Sequence, residues 1–387
     1  MRIKDFDYGE AEQKGKRMEH YRILVINPGS TSTKIALFQD EQEVFNEKVV
    51  HEAADLARFK EVNDQLPYRR DLILDAVRRH GFRMEEIDAF VGRGGGLMPC
   101  EGGTYRVNEK MLDHAKNGTR GRHPAVLGSQ LAAEFTAVSG GQAFIVDSPE
   151  TDELWDKARL TGIRGIYRTS SFHALNQKRT AIIAAKEMGG TYETMNFVVA
   201  HIGGGVSVAA HKKGKAVDAV NQMAGDSPMA PTRCGMIPME NVMEMCFSGK
   251  RDRRVLHSLM TKTGGLTDLL GPSEMKEIAE RAQNGDKTAQ FVREVFVYQI
   301  GKYIGQMAAA LSGEVDAVLL TGGITYDEWI AGQVEEMVRF IAPVRIYPGE
   351  FEMEAMSEGA LRVMRGEEAA KEYTADHLFS GFPELGL

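Results

Sequence analysis

The chain has 387 residues, 43% of them hydrophobic and 26% charged. At ~150 residues per domain this allows two domains with cores of their own, and the composition excludes a mostly disordered chain. Lys and Arg number 47 against 55 Asp and Glu, a net charge of −8. That balance argues against a general nucleic-acid binder, which needs a basic footprint. A small anionic ligand held by a local Arg cluster is not excluded.

No apolar run approaches the ~20 residues of a membrane span. The opening MRIKDFDYGEAEQKGKRMEH lacks the apolar core of a secretory signal. Cys100, Cys234 and Cys246 form no CxxC pair, which suits a reducing compartment and neither a disulfide framework nor a zinc site. A cytoplasmic protein with no membrane or nucleic-acid partner is expected. The 41 glycines against 12 prolines are clustered, so they point to close backbone approach at particular places. The 20 methionines are read as core gap-fillers.

Residues 1–20 are polar, of mixed charge and without apolar period, and read as an extension. Three short apolar runs follow, Ile23–Asn27, Lys34–Phe38 and Val44–Val50, joined by turn residues as antiparallel strands are. Pro67–His80 carries Leu72, Ile73, Ala76 and Val77 on one helical face. Asp88–Val91 is a strand running into GRGGG. A helix follows Pro124, marked by Leu127, Leu131, Phe135 and Val138, and Gln142–Asp147 is a strand ending in an acid. His173–Met188 is predicted helical and stops at Gly189-Gly190, as a helix C-terminus should.

The opening pattern then returns. Asn196–Ile202, Gly203-Gly204-Gly205, Val206–His211, a turn at Lys212–Lys215 and Ala216–Val220 repeat strand, glycine-bearing turn, strand, turn, strand. This predicts an internal duplication. The remainder reads as mainly helical. Its longest helix carries Val292, Phe296, Ile300, Ile304, Met307 and Leu311. Strands at Ala317–Leu320 and Arg345–Tyr347 and a helix at Met353–Met364 complete it. The expectation is a mixed α/β chain in two packed halves, divided within 148–172, with a cleft between them where ligands bind.

Three glycine-bearing turns follow strands: Asn27–Lys34, Gly203–Ser207 and Thr321–Ile324. Strand ends without side chains let backbone N–H groups approach a phosphate. Each alone is also what an ordinary hairpin turn looks like, and none matches a Walker or GxGxxG pattern. A cationic set stands beside them. Arg93 lies inside a four-glycine loop, His123 in GRHP, His173 at a helix start, and Arg233 in MAPTRCG. Arg suits a bidentate grip on carboxylate or phosphate. Asp147 ends a strand, and Glu350, Glu352 and Glu354 come late. Such carboxylates can hold Mg²⁺ through oxygen, or form the acidic first turn of a helix.

Together these segments resemble the acetate/butyrate kinase family of acyl kinases, in the actin-like ATPase superfamily. The resemblance runs from about Tyr21 to Gly366 and is carried by VINPGSTSTKIALF, GRGGGLMPCEGGTYRVN, SSFHALNQKR, VAHIGGGVSV, PTRCG, LLTGGI and YPGEFEMEAMSEGALR. It implies two ribonuclease H-like lobes, 21–165 and 166–387, each a mixed five-stranded sheet flanked by helices. It implies ATP/ADP and Mg²⁺ as cofactors, a short-chain carboxylate as substrate and a homo-oligomer as the assembly. By position, Arg93, Asp147, His173 and Arg233 are expected to be catalytic. Asn27, Gly29, Ser30, Lys34, His201, Gly203, Gly204, Gly205, Gly322 and Gly323 are expected at the nucleotide. Arg93, Gly95 and His123 are expected at the carboxylate, and Asn27, Asp147 and Glu354 at the metal, with Glu350 or Glu352 replacing Glu354 if the register slips. Departures are also present. Acetate kinases read FHGTSH where this chain reads FHALNQ, and HxGNG where it reads HIGGG. They carry bulkier residues where it has Gly94 and Gly95, from which a roomier acyl pocket, suited to butyrate, is expected.

Overall fold

The computed structural model describes residues 20–119, 121–271, 274–376 and 379–387. All but the last residue of the expected polar extension lie outside that range. The described residues form two sheets. The first contains β1 (Arg22–Pro28), β2 (Ser32–Gln39), β3 (Gln42–Val50), β4 (Ala89–Gly92), β5 (Thr104–Arg106) and β6 (Gln142–Val146). The second contains β7 (Asn196–Ile202), β8 (Val206–Lys212), β9 (Lys215–Ala219), β10 (Ala317–Gly322) and β11 (Val344–Pro348).

The order β6-β4-β1-β2-β3 in the first sheet is matched by β11-β10-β7-β8-β9 in the second. In both, the first three strands pair antiparallel and the last two add in parallel beyond the first. The duplication expected from the pattern is therefore present in the topology. The first sheet has seven strands rather than the expected five, because β5 and β12 (Lys371–Glu372) extend it beyond β6. They have three and two residues, too few for a period to be read.

The central strands are buried on both faces, which explains their unbroken apolar runs. Leu24 and Ile26 of β1 pack with Ile73, Leu127 and Leu131 from the helices Leu66–Arg79 and Val126–Ser139. Ile23 and Val25 pack on the other face with Met356 and Leu361 from the closing helix Glu352–Met364. In β7, Val198 and Ala200 meet Phe296, Ile300 and Ile304 of the long helix Lys287–Ala310. Phe197 and Val199 meet Ala181, Ala184 and Ala185 of the helix Ala174–Glu187.

The last part of the chain thus returns to the first sheet, although the expected division at 165/166 groups it with the second. The helices Ala174–Glu187 and Glu352–Met364 pack on one another, where Arg179 bonds Glu358. Residues 349–352 stitch the sheets together. Gly322 N–H donates to Gly349 O at 2.9 Å, Phe351 N–H to Asn176 Oδ1 at 2.9 Å, and Asn27 Nδ2 to Glu352 Oε2 at 3.0 Å.

Candidate active site

The turns after β1 and β7 occupy equivalent places, and β4 and β10 end beside them in parallel. Ligands of open α/β sheets bind at such carboxyl ends. On the first sheet, Arg93 continues β4, and its N–H donates to Ile26 O at 2.8 Å. Its Nη1 donates to the Asp147 carbonyl at 3.2 Å, and its Nη2 lies 3.5 Å from Glu352 Oε1. Burial pushes the Glu352 carboxyl up, but Arg93, His201, the Asn27 amide and Lys34 outweigh it and hold it below the ordinary value. Lys34 pairs with Asn27 across the β1–β2 hairpin and is exposed. Gly29 N–H donates to Ser32 O at 2.7 Å, closing the turn. Ser30 Oγ lies 3.5 Å from His123 Nε2.

It is Glu352, named above only as an alternative, that joins Asn27 and Arg93. Glu354 makes no hydrogen bond or ion pair to either among the described residues. Asp147 is placed differently from its expected metal role. Its Oδ1 accepts from Gly103 N–H at 2.8 Å and lies 3.9 Å from Lys178 Nζ. Burial raises its carboxyl, against the charge of Lys178 and the Gly103 bond. Its backbone φ is 39°, an uncommon conformation for a side-chain-bearing residue, and its carbonyl faces Arg93. Lys178 also binds Glu153 at 2.8 Å. Sequence reading missed this buried pair.

On the second sheet, the His173 and His201 rings stack with centroids 3.7 Å apart and planes 14° from parallel. Asn176 orients His201. Its Oδ1 is taken by Phe351 N–H, so its amide nitrogen faces His201 Nδ1 at 2.9 Å and Thr321 Oγ1 at 3.2 Å. His201 Nδ1 therefore accepts, and the proton sits on Nε2, which lies 3.7 Å from Glu350 Oε1. Burial lowers His201 to about 4, so it is neutral. Arg233 Nη1 donates to Gln222 Oε1 at 2.6 Å. A methyl group on Gly205 would collide with that same Nη1 and come within 3.1 Å of His173 Cε1. Burial, His201, Arg233 and Arg93 together push His173 well below its ordinary value. Arg93, at the end of β4, and Arg233, in the loop after β9, thus both bear electrostatically on His173.

A cleft of about 790 Å³ opens beside this cluster, lined by Gly203, Gly204, Pro231, Thr232, Gly323, Ile324, Tyr326 and Glu350 among others. Gly204 and Gly323 have open space where a side chain would stand. Gly322, at φ 99°, instead packs on the Ile202 backbone. Of the expected nucleotide-site residues, Gly203, Gly204 and Gly323 line this cleft, while Asn27, Gly29, Ser30 and Lys34 lie in or beside the β1–β2 turn. Gln222, Ser207, Asn176 and Gln177 were not foreseen. The departure FHALNQ was the visible signal for the last two.

The expected roomier pocket does not come from Gly94 and Gly95. A methyl group on Gly95 would come within 2.8 Å of Ala125 Cβ, and one on Gly94 within 3.0 Å of Ile145 Cδ1 and Ser148 Cβ. Those sides are filled. The glycines let the loop lie against the start of the Val126–Ser139 helix, where Gly92 and Gly128 also meet backbone to backbone.

Residues 157–342 match the model of the Acetokinase family. A curated relative from Clostridium botulinum (strain Eklund 17B / Type B), named probable butyrate kinase, is 44% identical over 353 residues, covering 91% of this chain and 99% of the relative. The crystal structure of Porphyromonas gingivalis acetate kinase aligns with a TM-score of 0.72 at 19% identity, over 89% of this chain and 100% of that one. A propionate kinase from Francisella tularensis aligns with a TM-score of 0.68 at 17% identity, over 88% and 98%. Both share the two-sheet fold found here. The chain belongs to the acetate/butyrate kinase family.

Proposed function

We propose that this protein is an ATP-dependent short-chain carboxylate kinase. It moves a phosphoryl group reversibly between ATP and butyrate, or a branched acid of similar length, giving the acyl phosphate and ADP. The observation that carries the reading is the meeting, where residues 349–352 join the two sheets, of the Asn27–Glu352–Arg93 set with the stacked His173 and His201 and with Arg233, whose Nη1 and His173 Cε1 both lie against Gly205. The relative named probable butyrate kinase supports the acyl length.

A carboxylate nucleophile has a pKa of ~4–5 and is already ionised at neutral pH. No general base is needed, in contrast to hydroxyl kinases. The obstacle is bringing an anion to a polyanion. Arg93 and Arg233 offset that repulsion, and His173 adds a donor toward the equatorial oxygens of the transferring group. The Asp147 carbonyl holds the Arg93 guanidinium, with His123 and Gly95 flanking the carboxylate's approach. The Gly29–Ser30 and Gly203–Gly205 turns and Lys34 receive the phosphates, and the cleft reaching Gly322–Gly323 takes the nucleoside. Asn27 and Glu352 are hard oxygen donors that fit Mg²⁺, which typically takes one or two protein carboxylates besides water and substrate phosphates. When bound, that ion neutralises phosphate charge. Glu354 and the Asp147 carboxylate do not fit that role, since neither is bonded to the Asn27–Glu352 pair. The same reading includes a cytoplasmic location, supported by three free cysteines, and a homo-oligomer, which a solution mass measurement tests.

The test is hydroxamate formation from acetate, propionate, butyrate and isobutyrate, coupled to ATP consumption. The expected result is the highest kcat/KM on butyrate or isobutyrate, falling by graded steps of roughly 1 kcal/mol or more per methylene removed. Acetate as best substrate would move the protein to the acetate kinase reading. ATP binding without any hydroxamate would make it a non-catalytic nucleotide-binding module.

A further inference from the structure

A continuous chain of buried hydrogen bonds runs from His173 away from the cleft, and its polarity can be read from groups that only donate or only accept. The Ser207 backbone carbonyl only accepts, and it lies 3.1 Å from the Gln177 side-chain amide. Gln177 must therefore turn its nitrogen to Ser207, and the same nitrogen donates to Ser207 Oγ at 2.9 Å. Gln177 Oε1 then faces His211 Nε2 at 3.0 Å, so that nitrogen carries the proton. His211 is fully buried, and burial with the Lys178 charge lowers it to about 3. It is neutral, and its Nδ1 accepts from the Tyr192 hydroxyl at 2.7 Å. Burial holds Tyr192 well above its ordinary value, so that hydroxyl keeps its proton.

The near end of the chain is decided by counting. A hydroxyl has two acceptor sites and one hydrogen. Ser207 Oγ accepts from Gln177 and from the His173 backbone N–H at 3.2 Å. Its hydrogen is left for the third neighbour, His173 Nδ1, at 2.7 Å. We infer that Ser207 and Gln177 are positioning residues that fix His173 as the Nε2–H tautomer, so that it offers the transferring phosphoryl group an N–H donor rather than a lone pair. A neutral imidazole in this state polarises a bound oxygen without having to lose a proton. Both residues are fully buried in a strand and the first turn of a helix, so the donor is held before substrate arrives.

The catalytic consequence rests on the carboxylate-kinase reading, whereas the tautomer does not. The test is long-range ¹H–¹⁵N NMR on histidine-labelled, nucleotide-free full-length protein, with the His173 signals assigned by their loss in His173→Asn. The expected wild-type spectrum has a protonated Nε2 and a bare Nδ1. Gln177→Glu keeps the shape of the side chain but can only accept. Ser207 should then turn its hydrogen to the introduced carboxylate, and His173 should place a proton on Nδ1. Ser207→Ala should give a mixture of tautomers. In both variants kcat should fall at least tenfold, with KM for ATP changed less than threefold. A wild-type His173 protonated on Nδ1, or a Ser207→Ala enzyme with unchanged tautomer and unchanged kcat, would overturn the inference. Hydroxamate formation by that same wild-type protein would leave the kinase reading standing.

Discussion

Asn27 donates to Glu352 Oε2 at 3.0 Å across a separation of 325 positions, tying the end of the first strand to the start of the closing helix. The same carboxylate faces Arg93. Glu354, two residues on and so on the opposite side of that helix, reaches neither. Glu352→Ala should therefore lose at least ~10²-fold in kcat, the scale of losing one preorganised transition-state contact, and should need more Mg²⁺ for half-maximal rate. Glu354→Ala should stay within about threefold of wild type. Titrating Mg²⁺ against rate for both variants checks this. The opposite ranking would return the metal role to Glu354.

Gly205 illustrates a glycine kept for contact. A methyl group there would press on Arg233 Nη1 and lie 2.5 Å from Gln222 Oε1. The obstructing atoms are the far ends of flexible side chains, so the fold can adapt, but the guanidinium cannot keep its place. Gly205→Ala should hold its melting temperature within a few degrees and lose tenfold or more in kcat. An equal fall in stability and rate would show that the glycine serves folding instead.

Much of this was legible from residues alone, for a physical reason. Strands such as Asn196–Ile202 are buried on both faces, so they are apolar along most of their length, and their ends are marked by the turns that follow. The duplication could be read because both copies need a turn lacking bulk at the same strand end. What stayed hidden depends on distant partners. The closing helix was predicted within a residue, yet nothing in its sequence says that it packs on the first sheet. Arg69 shares the apolar face of its helix with Ile73 and Ala76, where a charge is not expected, yet it is fully buried, donating to Gln65 and Thr33. Gly94 and Gly95 were misread because a missing side chain means room or contact, and only the neighbouring Ala125 and Ile145 decide which. Asn176 and Gln177 stand where acetate kinases read Ser and His, and only the structure shows Asn176 bonded to His201 and Gln177 to His211.

The Lys178 ammonium lies between the carboxylates of Glu153 and Asp147, with side-chain exposures of 7%, 3% and 12%. Two backbone N–H groups, from Gly102 and Ala216, complete the Glu153 shell. Removing one partner of a buried set strands the other charges, at a cost of about 3–5 kcal/mol. Lys178→Met should lower the urea midpoint accordingly. A loss under ~1 kcal/mol would show that the carboxylates take up protons or water without strain.

Stability should also fall with acid well before the carboxylates titrate. His51 and His201 are lowered to about 4 and His211 to about 3, each chiefly by burial. The ordinary value is 6.5. Between pH 6.5 and about 4 the unfolded chain binds protons at these sites and the folded chain does not. Unfolding then takes up protons, so stability rises with pH across that window and is lost as pH falls through it. Each histidine contributes a slope of at most about 1.4 kcal/mol per pH unit. Urea midpoints measured from pH 7.5 to 5 should decline steadily, and His211→Gln should flatten the slope by one histidine's share even if it lowers the midpoint itself. A midpoint constant down to pH 5 would mean that these imidazoles accept protons in the folded state, and the neutral tautomers assigned to His201 and His211 would have to be abandoned.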